Sequence, residues 1–474
     1  MPPSVFIRLT ALACLAGVSH AVPTLAAAHQ DVPPAQALLE RAEKRARDGR
    51  YRDAVHYYKQ LAGKYPATEQ GRIGARRSKP SAYLGWAPIG ENGPSQNRVD
   101  VVFMGDGYQI DELDQLDDLA ADAVPLFERQ RTFREYFSYL NFQRLALVSA
   151  DNGVDGFGRE YDTALGGRTL GTFAGHVGVD GSLVRAMLEQ KGEHDGLAIV
   201  FVKLGVLGTG GDGLACIGGR SPRTTVHEWG HAFAGLGDEY ATETHERGGV
   251  GTSVNVSATD DPERVPWKHW LDAKVPGIGI YEGASGQVRG AWKPTSGGCV
   301  MEDGEFFCPP CREALVLRIY SLVDPIESCS PLPHPLDHAV HLKLADEFAP
   351  LEFEVRVMKP ARHELEVRWW VLSEHETPPG PRGTTERYRN RYEDRRQRGR
   401  LPLIAPAPLR ESLHERTGVN RFVLAKKDLA PGRYRVVCRV RDTTRLRGER
   451  FPWVLKDEHE LLVSERAWWV VVSD

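Results

Sequence analysis

Cysteine and methionine are scarce in this chain, at 7 and 5 of 474 residues. So low a cysteine content excludes a small scaffold held together mainly by disulfides. An excess of one charge is missing too. Sixty Lys and Arg stand against 64 Asp and Glu, a net charge of −4 with a pI near 6.5. Neither nucleic acid nor an anionic membrane is therefore an expected partner. Beyond the first residues no apolar run is long enough to span a bilayer, so no transmembrane segment is expected. Hydrophobic residues at 41% and charged residues at 26% fit a soluble globular protein, and the length predicts two or three domains.

Residues 1–28 read as a signal peptide. Arg8 gives the positive start, residues 9–18 the apolar run, and Ser19-His20-Ala21 or Ala26-Ala27-Ala28 the small-residue cleavage site. The mature protein is thus expected to be exported, to the periplasm or the extracellular space. In that oxidising setting Cys216, Cys299, Cys308, Cys311, Cys329 and Cys438 form an even set, for which disulfides are the expected use. Cys308-Pro-Pro-Cys311 looks like half of a structural zinc site, but no second Cys-x-x-Cys is present to complete it.

The centre of the sequence is Thr-Val-His-Glu-Trp-Gly-His-Ala-Phe-Ala-Gly-Leu-Gly-Asp-Glu-Tyr, residues 225–240. His227 and His231 are four apart, so on a helix they lie one turn above each other on one face. Two imidazoles so placed can share one Zn2+, and Glu228 can take a proton from water beside it. Zinc lowers the pKa of its water from 15.7 to about 7. Gly235 can end the helix in a left-handed turn that swings the chain back beneath the metal. A carboxylate arriving there supplies the third ligand. Asp238 is the favoured one because the turn brings it nearest, and Glu239 is the alternative. The site residues read from sequence are therefore Glu228 as catalytic base and His227, His231 and Asp238 as ligands of one zinc per chain.

Around this motif the chain divides into regions. Residues 33–66 form two amphipathic stripes broken at Gly49 and stopped by Pro66, similar to one tetratricopeptide-like helical hairpin. One such unit cannot bury its own face and must dock on a neighbour. Residues 67–97 lack periodicity and read as a linker. From 98 to 330, apolar strands near 99–104, 142–149 and 197–202 alternate with helical stretches, giving an α/β catalytic core. Between the third strand and the His helix lies a glycine-rich segment. Gly208, Gly210 and Gly211 are read there as part of an edge strand that pairs with an extended peptide, with an ordinary flexible loop as the alternative. Met301 is placed to pack its thioether beneath the imidazoles.

Residues 335–474 change character. Leu351, Phe353, Val355 and Val357 alternate with charged residues; so do Leu365, Val367, Trp369 and Val371, and Tyr434, Val436, Cys438 and Val440. This predicts a C-terminal all-β sandwich. Its approach to Tyr434 resembles that of immunoglobulin- and fibronectin-type domains. Residues 376–404 interrupt the pattern with Pro, Gly and Arg and read as a loop. A surface or glycan partner is the role expected of the sandwich, with a purely structural cap as the alternative.

The motif and its surroundings resemble the IgA-peptidase family of secreted bacterial zinc metallopeptidases, which is metzincin-like in fold. The resemblance runs through residues 99–108 and 227–240, Asn255-Val256-Ser257 and Trp267-Lys268-His269-Trp270. It continues through Tyr281-Glu282-Gly283-Ala284, Trp292-Lys293-Pro294-Thr295, Cys299-Val300-Met301 and 307–311. It implies zinc on His227 and His231, Glu228 as general base and Met301 as the Met-turn. In the broader metzincin pattern the glycine and third ligand follow the second His by three and six; here Gly235 and Asp238 follow by four and seven. The expected activity is zinc-dependent endopeptidase action on a protein or peptide substrate. Two rivals stand beside it: a catalytically silent binding or adhesion protein on the same scaffold, and a zinc hydrolase of a non-peptide bond. An intact Glu228 speaks against the first.

Overall fold

The computed structural model describes residues 33–170, 175–204, 207–219, 222–242, 250–251, 253–332, 342–344, 349–373, 410–415 and 418–473. The expected signal at 1–28 and the Arg-rich loop at 376–404 lie outside them.

Helices α1 (Pro34–Arg47) and α2 (Tyr51–Lys64) form a hairpin at Gly49, whose φ of 74° suits a residue without Cβ. Their apolar stripes (Leu39, Ala42 and Ala46; Ala54, Tyr58 and Leu61) are buried in the main hydrophobic core rather than against each other alone. Residues 67–97, expected to be a linker, instead hold helix α3 (Glu69–Arg77) and strand β1 (Ala82–Gly90). The physical reason is nonlocal. Strand β1 is held by antiparallel pairing to β3 (Leu140–Val148), with register shifts near Gly85 and Pro88 that break its alternation. The Tyr58 hydroxyl donates to the Leu84 carbonyl at 2.6 Å, which ties the hairpin to that strand.

The central sheet adds β2 (Val99–Asp106) and, past the small β4 (Arg168–Leu170) and β5 (His176–Gly178) pair, β6 (Ala198–Val202), β7 (Thr209–Gly211) and β8 (Leu214–Gly218). Its order is β1-β3-β2-β6-β8-β7. The four inner strands are parallel and both outer strands antiparallel. Every residue of β2 is buried: Val99, Val101 and Phe103 face one apolar cluster, Val102 and Met104 the other. A parallel strand covered on both faces is apolar toward each of them, and here only Asp100 and Asp106 depart from that.

Helices α4 (Leu113–Arg129), α5 (Arg131–Glu135), α6 (Gly181–Lys191) and α7 (Pro222–Ala234) flank the sheet. Beyond α7 come α8 (Lys268–Asp272), the hairpin of β9 (Tyr281–Ala284) with β10 (Gln287–Lys293), and α9 (Pro309–Leu322). The molecule is thus a mixed α/β protein.

The remaining chain forms β11 (Ile326–Ser330), β12 (Leu342–Leu344), β13 (Leu351–Val357), β14 (Glu366–Ser373), β15 (Arg410–Glu415), β16 (Gly418–Leu424), β17 (Gly432–Arg441) and β18 (Val463–Val472). They make a three-stranded sheet, β11-β13-β16, and a five-stranded one, β12-β18-β17-β14-β15. Phe353 and Val355 from the first share one cluster with Val367, Trp369, Val436 and Trp468 from the second. Trp369 stacks on Phe422 at 5.4 Å across it.

A buried polar network joins this part to the central one. His363 lies between Glu135 of α5 and Asp442 just after β17, 2.8 Å from each carboxylate. The hydroxyls of Tyr136 and Tyr320 donate to Asp442 at 2.8 and 2.7 Å, and Arg362 pairs with Glu135 at 2.9 Å. Burial opposes charge on His363, but its hydrogen bonds to Asp442 and Glu135 outweigh that and raise its pKa to about 9. Glu135 is held down at about 2 by His363 and Arg362 despite its burial, and Asp442 is lowered too, so both stay ionised. The folded pKa of His363 lies above its unfolded value of about 6.5. Its contribution is therefore complete below pH ~6.5 and lost as pH rises through about 9. We expect thermal stability to fall across that window by on the order of 3 kcal/mol in unfolding free energy. His363→Gln should flatten the pH profile there; equal slopes for the two proteins would refute the assignment.

Candidate active site

Helix α7 presents His227 and His231 from one face and buries Trp229 and Phe233 on another, where their rings stack at 5.2 Å. Trp229 also meets Phe127 of α4 edge-on, which fixes the helix's rotation. At its end Gly235 takes φ 63° and its N–H returns to the His231 carbonyl at 3.0 Å. No atom lies near the place a Cβ would occupy at Gly235, so the turn rather than crowding calls for glycine there. Arg318 of α9 donates to the Phe233 carbonyl at 3.1 Å and so caps the helix's negative end.

The turn brings Asp238 to the histidines. Its Oδ1 is 3.0 Å from Nε2 of His227 and 3.1 Å from Nε2 of His231, and the two Nε2 atoms are 3.1 Å apart. The other ring nitrogens are committed: Nδ1 of His227 donates to the Val300 carbonyl at 3.0 Å, and Nδ1 of His231 to the Leu236 carbonyl at 2.5 Å. A carbonyl only accepts, so Nδ1 carries the hydrogen in each ring and a neutral ring leaves a bare lone pair at Nε2. Three lone-pair atoms facing one another at this distance need a cation or extra protons among them. A tetrahedral zinc with bonds of about 2.0–2.1 Å sets its ligand atoms roughly 3.3–3.4 Å apart. The donor set fits such an ion, and His227, His231 and Asp238 form a group that could hold a metal. Burial alone would raise the Asp238 carboxyl, but its bonds to His227 and His231 hold it well below the usual carboxylate range.

Glu228 stands beside this group and is buried. Burial pushes its carboxyl up, with the neighbouring histidines opposing. Met301 is also buried, and a Cβ on Gly230 would come within 2.8 Å of its sulfur, so the absence of a side chain at Gly230 lets the thioether lie against α7.

Strand β7 is the last strand of the sheet and runs against α7. A Cβ on Gly210 would stand 2.3 Å from the Glu228 carbonyl oxygen and 2.8 Å from Cβ of His231; one on Gly208 would stand 2.5 Å from Cγ of Glu228. Gly211 has nothing within 4 Å. The glycines that sequence analysis grouped together thus divide: Gly208 and Gly210 permit close approach to the site, and Gly211 does not need to. Gly210→Ala is expected to push β7 off the helix, costing about 1–3 kcal/mol of stability and at least about tenfold in turnover. Gly211→Ala should leave both nearly unchanged; parallel thermal melts and peptide-cleavage assays compare the two.

Glu239, the alternative third ligand, turns away from the histidines. It is fully buried, accepts from Asn255 Nδ2 at 2.9 Å, and lies 3.1 Å from the Cys311 sulfur. Two residues that no sequence motif marked shape this turn. Asn255 bonds both the N–H and the carbonyl of Gly237, at 2.7 and 2.8 Å, and Lys293 donates to the Glu239 carbonyl at 2.7 Å. Both lie in stretches that carried the family resemblance, yet no spacing links them to the His motif.

The disulfide expectation is corrected. All six cysteines from 216 to 438 are free, and Cys299 and Cys311 are 3.9 Å apart at sulfur, almost twice a bond length of about 2.05 Å. Cys216 and Cys438 are instead core residues of the apolar clusters in β8 and β17.

A donor trio of two imidazoles and a carboxylate, with a buried glutamate beside it on an α/β scaffold, defines a candidate hydrolytic centre. Residues 87–277 match the family model described as IgA Peptidase M64, so this stretch of the chain is similar to the IgA-peptidase family. The matched stretch contains His227, Glu228, His231, Asp238 and Asn255, and ends before Cys299 and Met301. No curated protein matches the chain. Among the described residues no helix is long and apolar enough to cross a membrane.

Proposed function

We propose that the protein is an exported zinc endopeptidase with His227, His231 and Asp238 as metal ligands and Glu228 as general base. The observation that carries this is the near-equilateral set of lone-pair donors at the turn of α7. A zinc ion bound there supplies a Lewis acid to the scissile carbonyl and the attacking water. Glu228, buried and raised toward neutrality, takes a proton from that water and passes it to the leaving amine. The carbonyls of Val300 and Leu236 hold the imidazoles in the tautomer that directs Nε2 to the ion. Strand β7 offers the substrate backbone an antiparallel partner in line with the site. Tyr240, whose ring lies 6.0 Å from that of His227, is our candidate for a further donor to the developing oxyanion. The family name does not transfer immunoglobulin A as substrate, and we propose only a protein or peptide.

The wider reading keeps a metzincin-like core, now begun at β1 rather than residue 98, and an immunoglobulin- or fibronectin-like sandwich, now begun at β11 rather than residue 335. Two sheets on one core support the latter, as does the Tyr434 hydroxyl, which bonds back to the Ala430 carbonyl at 2.9 Å in the manner of a tyrosine corner. The test is removal and return of metal. A chelator should abolish cleavage of a broad peptide library and zinc should restore it; cleavage that survives complete metal removal would defeat the proposal.

A further inference from the structure

We propose that the chain holds a second metal ion, a closed structural zinc site built from Cys299, Cys308, Cys311 and Glu239, on the far side of the 238–239 turn from the histidines. All four residues are buried, and their ligand atoms lie within 4.8 Å of one another. The separations suit a tetrahedral ion. With Zn–S of about 2.3 Å and Zn–O of about 2.0–2.2 Å, sulfurs should stand roughly 3.8 Å apart and sulfur and oxygen roughly 3.5 Å apart. Here Cys299 and Cys311 are 3.9 Å apart, and Glu239 Oε1 is 3.4 Å from Cys308 and 3.1 Å from Cys311.

The surroundings favour ligands over idle thiols. Backbone N–H groups of Cys308 and Met301 point at the Cys299 sulfur, at 3.4 and 3.5 Å, as donors do toward a thiolate. The glutamate is oriented from outside the cluster by Asn255 and by the Thr295 hydroxyl, 3.3 Å from Oε2. Without an ion, three thiols and a carboxyl would have to keep their protons in an enclosed place. A divalent cation replaces those protons and satisfies all four groups, as closed structural sites do. A Cys-x-x-Cys that lacks a second pair along the sequence is thus completed by a cysteine nine residues upstream of it and a glutamate on another loop.

This site braces the histidine site without belonging to it. Asp238 and Glu239 are neighbours facing opposite clusters, so fixing Glu239 fixes the loop that carries Asp238. Cys299, Val300 and Met301 are likewise consecutive. The first is a proposed ligand, the second accepts from His227, and the third accepts the Glu239 N–H at 2.7 Å and places its sulfur against α7. The ion therefore acts as a positioning element for the turn and the methionine.

The test uses the full-length protein, purified under reducing conditions without chelator. Wild type should carry two zinc ions per chain. The His227→Ala/His231→Ala variant leaves the cysteine cluster untouched and should keep one; replacing zinc by cobalt in it should give a thiolate-to-cobalt charge-transfer band. Cys308→Ser/Cys311→Ser should lose that band together with one zinc. Should that cysteine variant fail to fold, the histidine variant alone decides the matter. A folded histidine variant with no metal and no charge-transfer band would overturn the site, as would a Cys299–Cys311 disulfide in the native protein. Because the band reports sulfur ligands, failure here is distinct from failure of the histidine site.

Discussion

Glu228→Gln is expected to keep fold and metal while lowering kcat/KM by about 10²–10⁴-fold, the usual worth of a positioned general base. The amide is nearly the same size and shape, so the space beside Gly208 and the packing of α7 against β7 remain filled. What disappears is the ability to accept a proton. Glu228 lies outside the group of converging donors, so its replacement should leave the Nε2 and Oδ1 atoms of His227, His231 and Asp238 in place. Zinc content and near-ultraviolet circular dichroism should match the wild type while peptide cleavage collapses. Loss of metal in this variant would make Glu228 a ligand, and unchanged turnover would assign the base elsewhere.

Asp238→Ala is expected to strip the histidine site of metal and abolish hydrolysis. A carboxylate that only orients a ligand typically costs 10–100-fold in affinity when removed, whereas a direct ligand should cost more than about 100-fold. The contrast with Glu239→Ala makes the experiment specific. Glu239 touches Asn255 and the cysteine sulfurs rather than the histidines, so its removal should leave metal on the histidine site and weaken the other cluster. Zinc titration with a competing chelator reads both affinities. If Glu239→Ala emptied the histidine site while Asp238→Ala did not, the ligand assignment would be reversed.

Local pattern was enough for part of this protein. The four-residue spacing of His227 and His231 sets them on one helical face in any context, and the glycine at 235 marks where that helix must turn. Alternation along 351–357 and 434–440 marked the residues that share the C-terminal core. The apolar stretch from Val101 to Met104 in β2 follows from burial on both faces, which local composition already carries. Strand β1 was hidden because Gly85 and Pro88 disrupt its pattern and only its partner β3 makes it a strand. Likewise, no spacing could choose between Asp238 and Glu239. Adjacent residues in an extended segment point to opposite sides, and which side holds the histidines depends on Asn255 and on Lys293 at the end of β10, which grip the turn from later in the chain. The cysteines show the same limit most plainly. Sequence counts thiols and suggests that they pair, but only the folded chain brings Glu239 to Cys308 and Cys311, about seventy residues away, and holds the sulfurs of Cys299 and Cys311 at 3.9 Å instead of bonded.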